Sequence, residues 1–274
     1  MKRKEKMKYL SYYQLNENPF GKYVTCNEIF DNEDVLEAAS RIEYAVEVDG
    51  IALITGEPGT GKTTAVRRYL EKLDSELYKL IYISASNFKV FDFYNILCDA
   101  LDLATERCQY VSMFKRIQGE FIKLQTKDHV KPVVVVDDAH MLSSRIIEEF
   151  KIFYDFEFDS RCYVSLILIG NEGIREQIRK SKFESLRDRI VVNYNMQSMS
   201  MEESSLYIKS RLSAAGGNEN LFNNQVLNAV HHAGSGNCRR MNSILTNMLM
   251  IGYAEKRMNF TIEDVKRARE EMKV

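Results

Sequence analysis

Tryptophan is absent, proline occurs only three times in 274 residues, and there is no low-complexity tract. Apolar residues at 45% and charged residues at 28% describe a soluble, globular chain, long enough for one large domain or a large and a small one. Net charge is lacking too. The formal value is -1, so nothing drives the whole molecule towards nucleic acid or membrane, and any nucleic-acid contact has to come from a local patch or from several copies together. No run approaches the roughly 20 apolar residues that span a bilayer. Residues 164–170 are too short, and residues 244–254 are interrupted by Asn247. The opening MKRKEKMKYL carries charge without a following apolar stretch, which argues against a secretory signal and sets the expectation of a cytoplasmic protein.

Paired cysteines are missing as well. Cys26, Cys98, Cys108, Cys162 and Cys238 are odd in number and form no C-x-x-C pair, a pattern of reduced thiols used as small packing residues. His129, His140, His231 and His232 show no metal-ligand spacing with them, and the adjacent pair would point about 100° apart on a helix. Zinc is not expected.

What is present is organised around Gly56–Thr63, which reads GEPGTGKT. The apolar run Ile51–Ile54 precedes it and a helical pattern beginning Thr64-Ala65-Val66 follows, so a strand, a glycine-rich turn and a helix succeed one another. Gly56, Gly61, Lys62 and Thr63 satisfy G-x-x-x-x-G-K-[ST], the phosphate-binding P-loop pattern. Glycines let the backbone curl so that successive N–H groups share one anion-sized hollow, and the helix start adds its own free N–H groups and positive dipole end. The expected nucleotide-binding residues are Gly56, Glu57, Pro58, Gly59, Thr60, Gly61, Lys62, Thr63 and Thr64. Lys62 would reach the β- and γ-phosphates of ATP, and the Thr63 hydroxyl would sit on Mg²⁺.

Along the chain, Lys2, Arg3, Lys4, Lys6 and Lys8 make residues 1–10 a basic arm, either a solvated tail or a set of phosphate contacts. Asn18-Pro19-Phe20 marks a turn with an apolar anchor. Periodicity predicts a helix over 33–48, and further helices over 62–73, 92–103, 112–126 and 144–153. Strands are predicted at 51–55, 80–84, 133–136, 163–169 and 190–194. Strands alternating with helices at this spacing give a parallel sheet wrapped by helices. Beyond Asn195 only helices are predicted, at 201–214, 223–233, 238–254 and 262–272, the first opened by a Ser200–Glu203 capping box and the last by Thr261. The expected division is residues 1–30 as arm and lead-in, 31–198 as an α/β core and 199–274 as a helical lid.

Val133–Val136 has no polar alternation, as in a strand buried on both faces, and it runs into Asp137-Asp138. A carboxylate at that strand end, downstream of a P-loop, suits the Walker B hold on Mg²⁺ for Asp137, with Asp138 placed as a general base or water-orienting group. Asn171 follows the next strand through Gly170; it is either a turn residue or a ligand to the attacking water or γ-phosphate, depending on strand order. Of the two arginines before the last strand, Arg187 reads as a surface pair with Asp188, and Arg189 as a finger reaching a neighbouring subunit's nucleotide. One of Arg239 and Arg240, in the first turn of a lid helix, could swing onto the γ-phosphate.

These landmarks, in the order NPF (18–20), GEPGTGKT (56–63), VVVVDDAHML (133–142), LILIGN (166–171), LRDRI (186–190), MSMEES (199–204) and GSGNCRRMN (234–242), resemble an AAA+ ATPase of the ExeA-like kind over nearly the whole chain beyond the arm. The resemblance implies Lys62 and Thr63 on nucleotide and Mg²⁺, Asp137 as Walker B, Asn171 as sensor 1, Arg189 as arginine finger and Arg239 as sensor 2. The family usually carries Asp-Glu where this chain has Asp137-Asp138, so the second carboxylate is one methylene shorter, which implies slow turnover. ExeA-like domains occur in secretion-associated proteins, ahead of a membrane span and a cell-wall-binding region, and among short ATPases of mobile DNA resembling TnsC or MuB. The compact length and basic arm favour the second setting: a homo-oligomer, ring or filament, formed with ATP on double-stranded DNA, that recruits or regulates a transposase. The arm residues Lys2, Arg3 and Lys4 are the candidate DNA contacts. A secretion-associated ATPase, a remodeller of a protein partner without DNA contact, and a non-hydrolysing nucleotide sensor are the alternatives.

Overall fold

Val133, Val134, Val135 and Val136 are fully buried, because the strand that carries them lies inside the sheet and is covered on both faces. Each such side chain is worth roughly 1.5–3 kcal/mol of burial, which is why a continuous apolar run is stable here and alternation is not needed. The computed structural model describes residues 8–21, 29–105, 109–154, 156 and 162–272, which fall into two units. Lys2, Arg3, Lys4, Cys26 and Cys108 lie outside the described residues.

The first unit, built from Glu33–Glu57 and Lys62–Met196, is the α/β one. Its strands are β1 (Ile51–Gly56), β2 (Tyr78–Ser84), β3 (Lys131–Asp137), β4 (Ser165–Ile169) and β5 (Ile190–Met196). All pair in parallel, in the order β2-β3-β4-β1-β5. The helices are α2 (Glu33–Glu47), α3 (Lys62–Leu70), α4 (Val90–Ala100), α5 (Tyr110–Thr126), α6 (Ser144–Glu148), α7 (Glu172–Ile178) and α8 (Glu184–Arg187). One face of the sheet packs through Leu53, Ile81, Ile83, Val134, Val136 and Leu168 on α4, α5 and the segment after α6. The other packs through Ala52, Ile54, Val133, Val135 and Ile169 on α2 and α3. In α2 the buried residues Val35, Ala38, Ala39, Ile42, Ala45 and Val46 follow the three-and-four spacing that marked the helix in the sequence.

Two local differences from the sequence reading have physical causes. The helix expected over 144–153 stops at Glu148 and continues as a 3-10 turn over Glu149–Phe153. With about three residues per turn, Phe150 and Phe153 fall on one side, and both rings join Phe93 in the core. Helices α7 and α8 were not expected, because each is too short to show a period.

The second unit holds the described residues up to Asn32, Pro58–Gly61 and the chain from Gln197. It contains α1 (Lys8–Tyr12), α9 (Met201–Ala214), α10 (Asn224–Gly234), α11 (Cys238–Ala254) and α12 (Ile262–Glu271). Its core unites Leu10, Leu15 and Phe20 with Ile208, Leu212, Val230, Leu245, Met248 and Phe260. The Asn-Pro-Phe lead-in belongs here: the Phe20 N–H donates to Asn18 Oδ1 at 3.1 Å, and buried Arg211 donates from Nε to the Pro19 carbonyl at 2.7 Å. The capping box at α9 is formed, with Ser200 N–H to Glu203 Oε2 at 2.8 Å and Glu203 N–H to Ser200 Oγ at 3.2 Å. Among the described residues no helix is long and apolar enough to cross a membrane.

Candidate nucleotide-binding site

Gly56 ends β1, and the chain turns through Glu57, Pro58, Gly59, Thr60 and Gly61 before α3 begins at Lys62. Gly59 and Gly61 adopt φ of 91° and 98°, which side chains rarely tolerate. At Gly59 space is also closed: a Cβ there would stand 2.5 Å from Asn237 Oδ1 and 2.8 Å from Arg239 Cβ. At Gly61 it would meet nothing described within 4 Å, so that glycine is required by backbone direction alone. The Lys62 ammonium bends back over the turn and donates to the carbonyls of Gly56 (2.9 Å) and Glu57 (2.7 Å). Thr60 is buried, Glu57 and Pro58 are exposed, and Thr63 and Thr64 open α3.

Asp137 ends β3 and is 7% exposed. Its Oδ2 accepts two hydroxyls, from Thr63 at 2.9 Å and from Tyr82 at 2.8 Å. Its Oδ1 accepts the Asp138 N–H at 2.8 Å. The Tyr82 phenol is pushed well above its usual range, first by burial and then by this bond to Asp137, so it is a proton donor throughout the neutral range. Asp138 is exposed and stands in the left-handed region at φ 53°, ψ 34°. Thr63 and Asp137, joined by their hydrogen bond, offer only oxygen donors, the kind that a hard divalent cation such as Mg²⁺ takes, and they fit it.

Strand β4 lies between β3 and β1, which meets the condition on which a phosphate-side role for Asn171 depends. Asn171 is also the N-cap of α7, accepting the Gly173 N–H at 2.8 Å through Oδ1. Arg187 makes no ion pair with Asp188 of the kind expected. It donates instead to the carbonyls of Ile178 (3.3 Å) and Arg179 (3.1 Å), where the end of α7 leaves acceptors without helical partners. Arg189 donates to Ser185 O and Oγ at 2.8 and 2.9 Å and lies over the Tyr154 ring at 4.7 Å. The structure does not bring Arg189 to the phosphate loop of its own chain. Its carbonyl accepts the Ile51 N–H, at the start of β1, whereas the loop leaves from the other end of that strand, about 17 Å away at ordinary strand rise.

Within the helical unit, buried Asn237 caps α11 through Oδ1, which accepts the Arg240 N–H at 3.2 Å, and donates from Nδ2 to the Pro58 carbonyl at 2.8 Å. Arg239 is exposed, with its Cβ against Gly59. Two residues were not singled out by the sequence reading, Tyr82 beside Asp137 in the α/β unit and Asn237 beside Pro58 in the helical unit. An Asn following a glycine and opening a helix is a legible cap; nothing local marks Tyr82.

A parallel sheet of this order, a glycine turn into α3, and a carboxylate from β3 bonded to the first turn of that helix define an AAA+ P-loop NTPase fold, followed by a helical region. Residues 46–178 match the family described as AAA domain. The chain is 25% identical over 247 residues to general secretion pathway protein A of Aeromonas hydrophila; the match takes in 90% of this chain and 45% of that protein, so the chain spans less than half the length of this relative. Among solved structures, Cdc6p of Pyrobaculum aerophilum superposes with a TM-score of 0.70 at 15% identity, covering 92% of this chain and 70% of that one. The ORC1 protein of Aeropyrum pernix, solved in complex with DNA, gives 0.67 at 18%, covering 90% and 67%. At these identities the likeness to the solved structures is one of fold.

Proposed function

We propose that this chain binds ATP with Mg²⁺, hydrolyses it slowly, and uses nucleotide state to assemble as a homo-oligomer on double-stranded DNA, where it recruits or regulates a transposase. The observation that carries the nucleotide reading is the Thr63–Asp137 hydrogen bond, which joins the phosphate loop to the strand-end carboxylate. In this reading the loop N–H groups from Gly56 to Thr64 and the Lys62 ammonium hold the phosphates. Thr63 and Asp137 hold the cation, which when bound supplies positive charge against the β- and γ-phosphate oxygens. Asp138 and Asn171 orient the attacking water; the short Asp138 side chain makes that orientation poor and the turnover slow. Arg239, beside Gly59, answers to the γ-phosphate, and Arg189 completes the site of a neighbouring subunit.

The DNA part is supported by the fold likeness to an ORC1 protein solved on DNA, and Lys2, Arg3 and Lys4 are the proposed contacts. It is tested by electrophoretic shift of duplex DNA at low salt with ATP and Mg²⁺, with ADP, and without nucleotide. The expected result is a shift with ATP and Mg²⁺ only, weakened by salt and lost in Lys62→Ala. The match to general secretion pathway protein A favours a second reading, a secretion-associated ATPase or protein remodeller without DNA contact. ATP-dependent assembly without any DNA shift would select it. Copurification of an integrase-type transposase with the ATP-bound form tests the partner.

A further inference from the structure

We propose that Tyr82 is a positioning residue that braces the Asp137 carboxylate for its cation, an inference that rests on the reading of Asp137 as the metal-holding carboxylate. Tyr82 lies on β2, the edge strand, opposite Val135. Along β2, Ile81 and Ile83 enter the core, while Leu80, Tyr82 and Ser84 take the other face. Tyr82 as a whole residue is 51% exposed, so it adds little to the core, while its hydroxyl end is part-buried against Asp137. What distinguishes it from a surface phenylalanine is its hydroxyl, directed at the same Asp137 oxygen that accepts Thr63.

A carboxylate offers about four acceptor positions. In Asp137 three are filled, two on Oδ2 by Tyr82 and Thr63 and one on Oδ1 by the Asp138 N–H. The three donors come from β2, from α3 and from the chain just past β3, so the carboxylate plane is fixed from three sides. Hydrogen bonds to a charged group are the strong ones, and they fix orientation as well as energy. Without the phenol, Asp137 keeps one donor on each oxygen, loses its hold from β2 and turns more freely about its last side-chain bond. Ordering it again then falls on the cation when it binds, and affinity drops for the cation-loaded nucleotide alone.

The experiment is equilibrium titration of the full chain with a fluorescent ATP analogue, once in Mg²⁺ and once in EDTA, for the parent, Tyr82→Phe, Asp137→Asn and Leu80→Ala. Tyr82→Phe is expected to weaken binding in Mg²⁺ about tenfold. Its EDTA affinity and melting temperature should stay at parent values, and Leu80→Ala, an exposed neighbour on the same face, should leave the Mg²⁺ response intact. Asp137→Asn should abolish the difference between Mg²⁺ and EDTA. If Asp137→Asn abolishes that difference while Tyr82→Phe leaves it untouched, the brace is wrong and the role of Asp137 stands. If Asp137→Asn leaves the difference intact, the reading of Asp137 fails, and the brace with it. Equal weakening in Mg²⁺ and EDTA overturns the proposal in favour of general support of the fold. Tighter binding in Mg²⁺ overturns it too, since the hydroxyl would then be competing with the cation's water shell.

Discussion

Asp138 occupies a backbone conformation that most side chains avoid, at φ 53°, and its N–H is bonded to the carboxylate of the residue before it. Aspartate enters this region at lower cost than most residues, so the conformation is held without glycine. The tight left-handed step also fixes the origin of the Asp138 side chain, leaving its length as the variable that sets reach. We therefore expect Asp138→Glu to raise ATP turnover about tenfold, and Asp138→Asn to lower it about a hundredfold, measured as phosphate release at saturating ATP and Mg²⁺. An unchanged rate in Asp138→Glu would remove side-chain length as the cause of the slow turnover proposed above. The phosphate loop and Asp137 were readable in the sequence because their demands are local: glycines where φ is positive, and a carboxylate where an apolar run ends. Tyr82 was not, because its contact with Asp137 depends on the register Ser84↔Asp137, which no single strand encodes. Arg187 was misassigned to Asp188 for a related reason, since the carbonyls it serves belong to α7, a helix too short to be foreseen.

At the scale of the element, the C-terminal helices were the most legible part of the chain, because caps define their ends. Helix α12 shows the physics. The Thr261 N–H and Oγ1 donate to Asp264 Oδ2 at 2.8 and 3.0 Å, and the Arg257 guanidinium donates to both oxygens of the same carboxylate. Asp264→Ala is expected to destabilise this unit by about 1–2 kcal/mol in a denaturant titration, through the lost cap at Thr261 and the lost bonds to Arg257, which keeps Glu255 as a partner. The Arg257 bonds hold the Asp264 carboxyl below its ordinary value, with the Thr261 bonds adding to them and burial opposing. The folded state therefore binds this proton less readily than the unfolded chain. Its stabilisation is complete above the unfolded value of about 3.9 and is lost as pH falls through the lowered folded value. Asp264→Asn should flatten that acid limb of a melting-temperature profile; an unaltered limb would mean other carboxylates set it. By contrast, the break from α6 into a 3-10 turn was hidden, because it answers to Phe93 on another helix and not to anything within 144–153.

At the scale of the molecule, Arg189, just ahead of β5, lies beside the start of β1 while the phosphate loop leaves its far end, so a catalytic role for this arginine requires a second copy. Arg189→Ala is expected to lower turnover about a thousandfold. Mixing it with Lys62→Ala, itself inactive, should restore turnover above the sum of the two, because each variant carries what the other lacks. No gain on mixing, with both variants shown to co-assemble, would exclude action across subunits. The strand order has one more consequence, for the order in which the chain is made. Strand β1 is made before β2, β3, β4 and β5, yet its neighbours are β4 and β5: Ile51 pairs with Leu166 and with Ile190. The sheet's other early strand, β2, is no neighbour of β1 and pairs only once β3 has appeared. The residues that carry the phosphate loop thus stay an apolar segment with both edges bare, exposed to wrong partners, from the end of β1 at Gly56 until β4 begins at Ser165. The strand that carries the phosphate loop therefore depends for both its edges on residues made long after it.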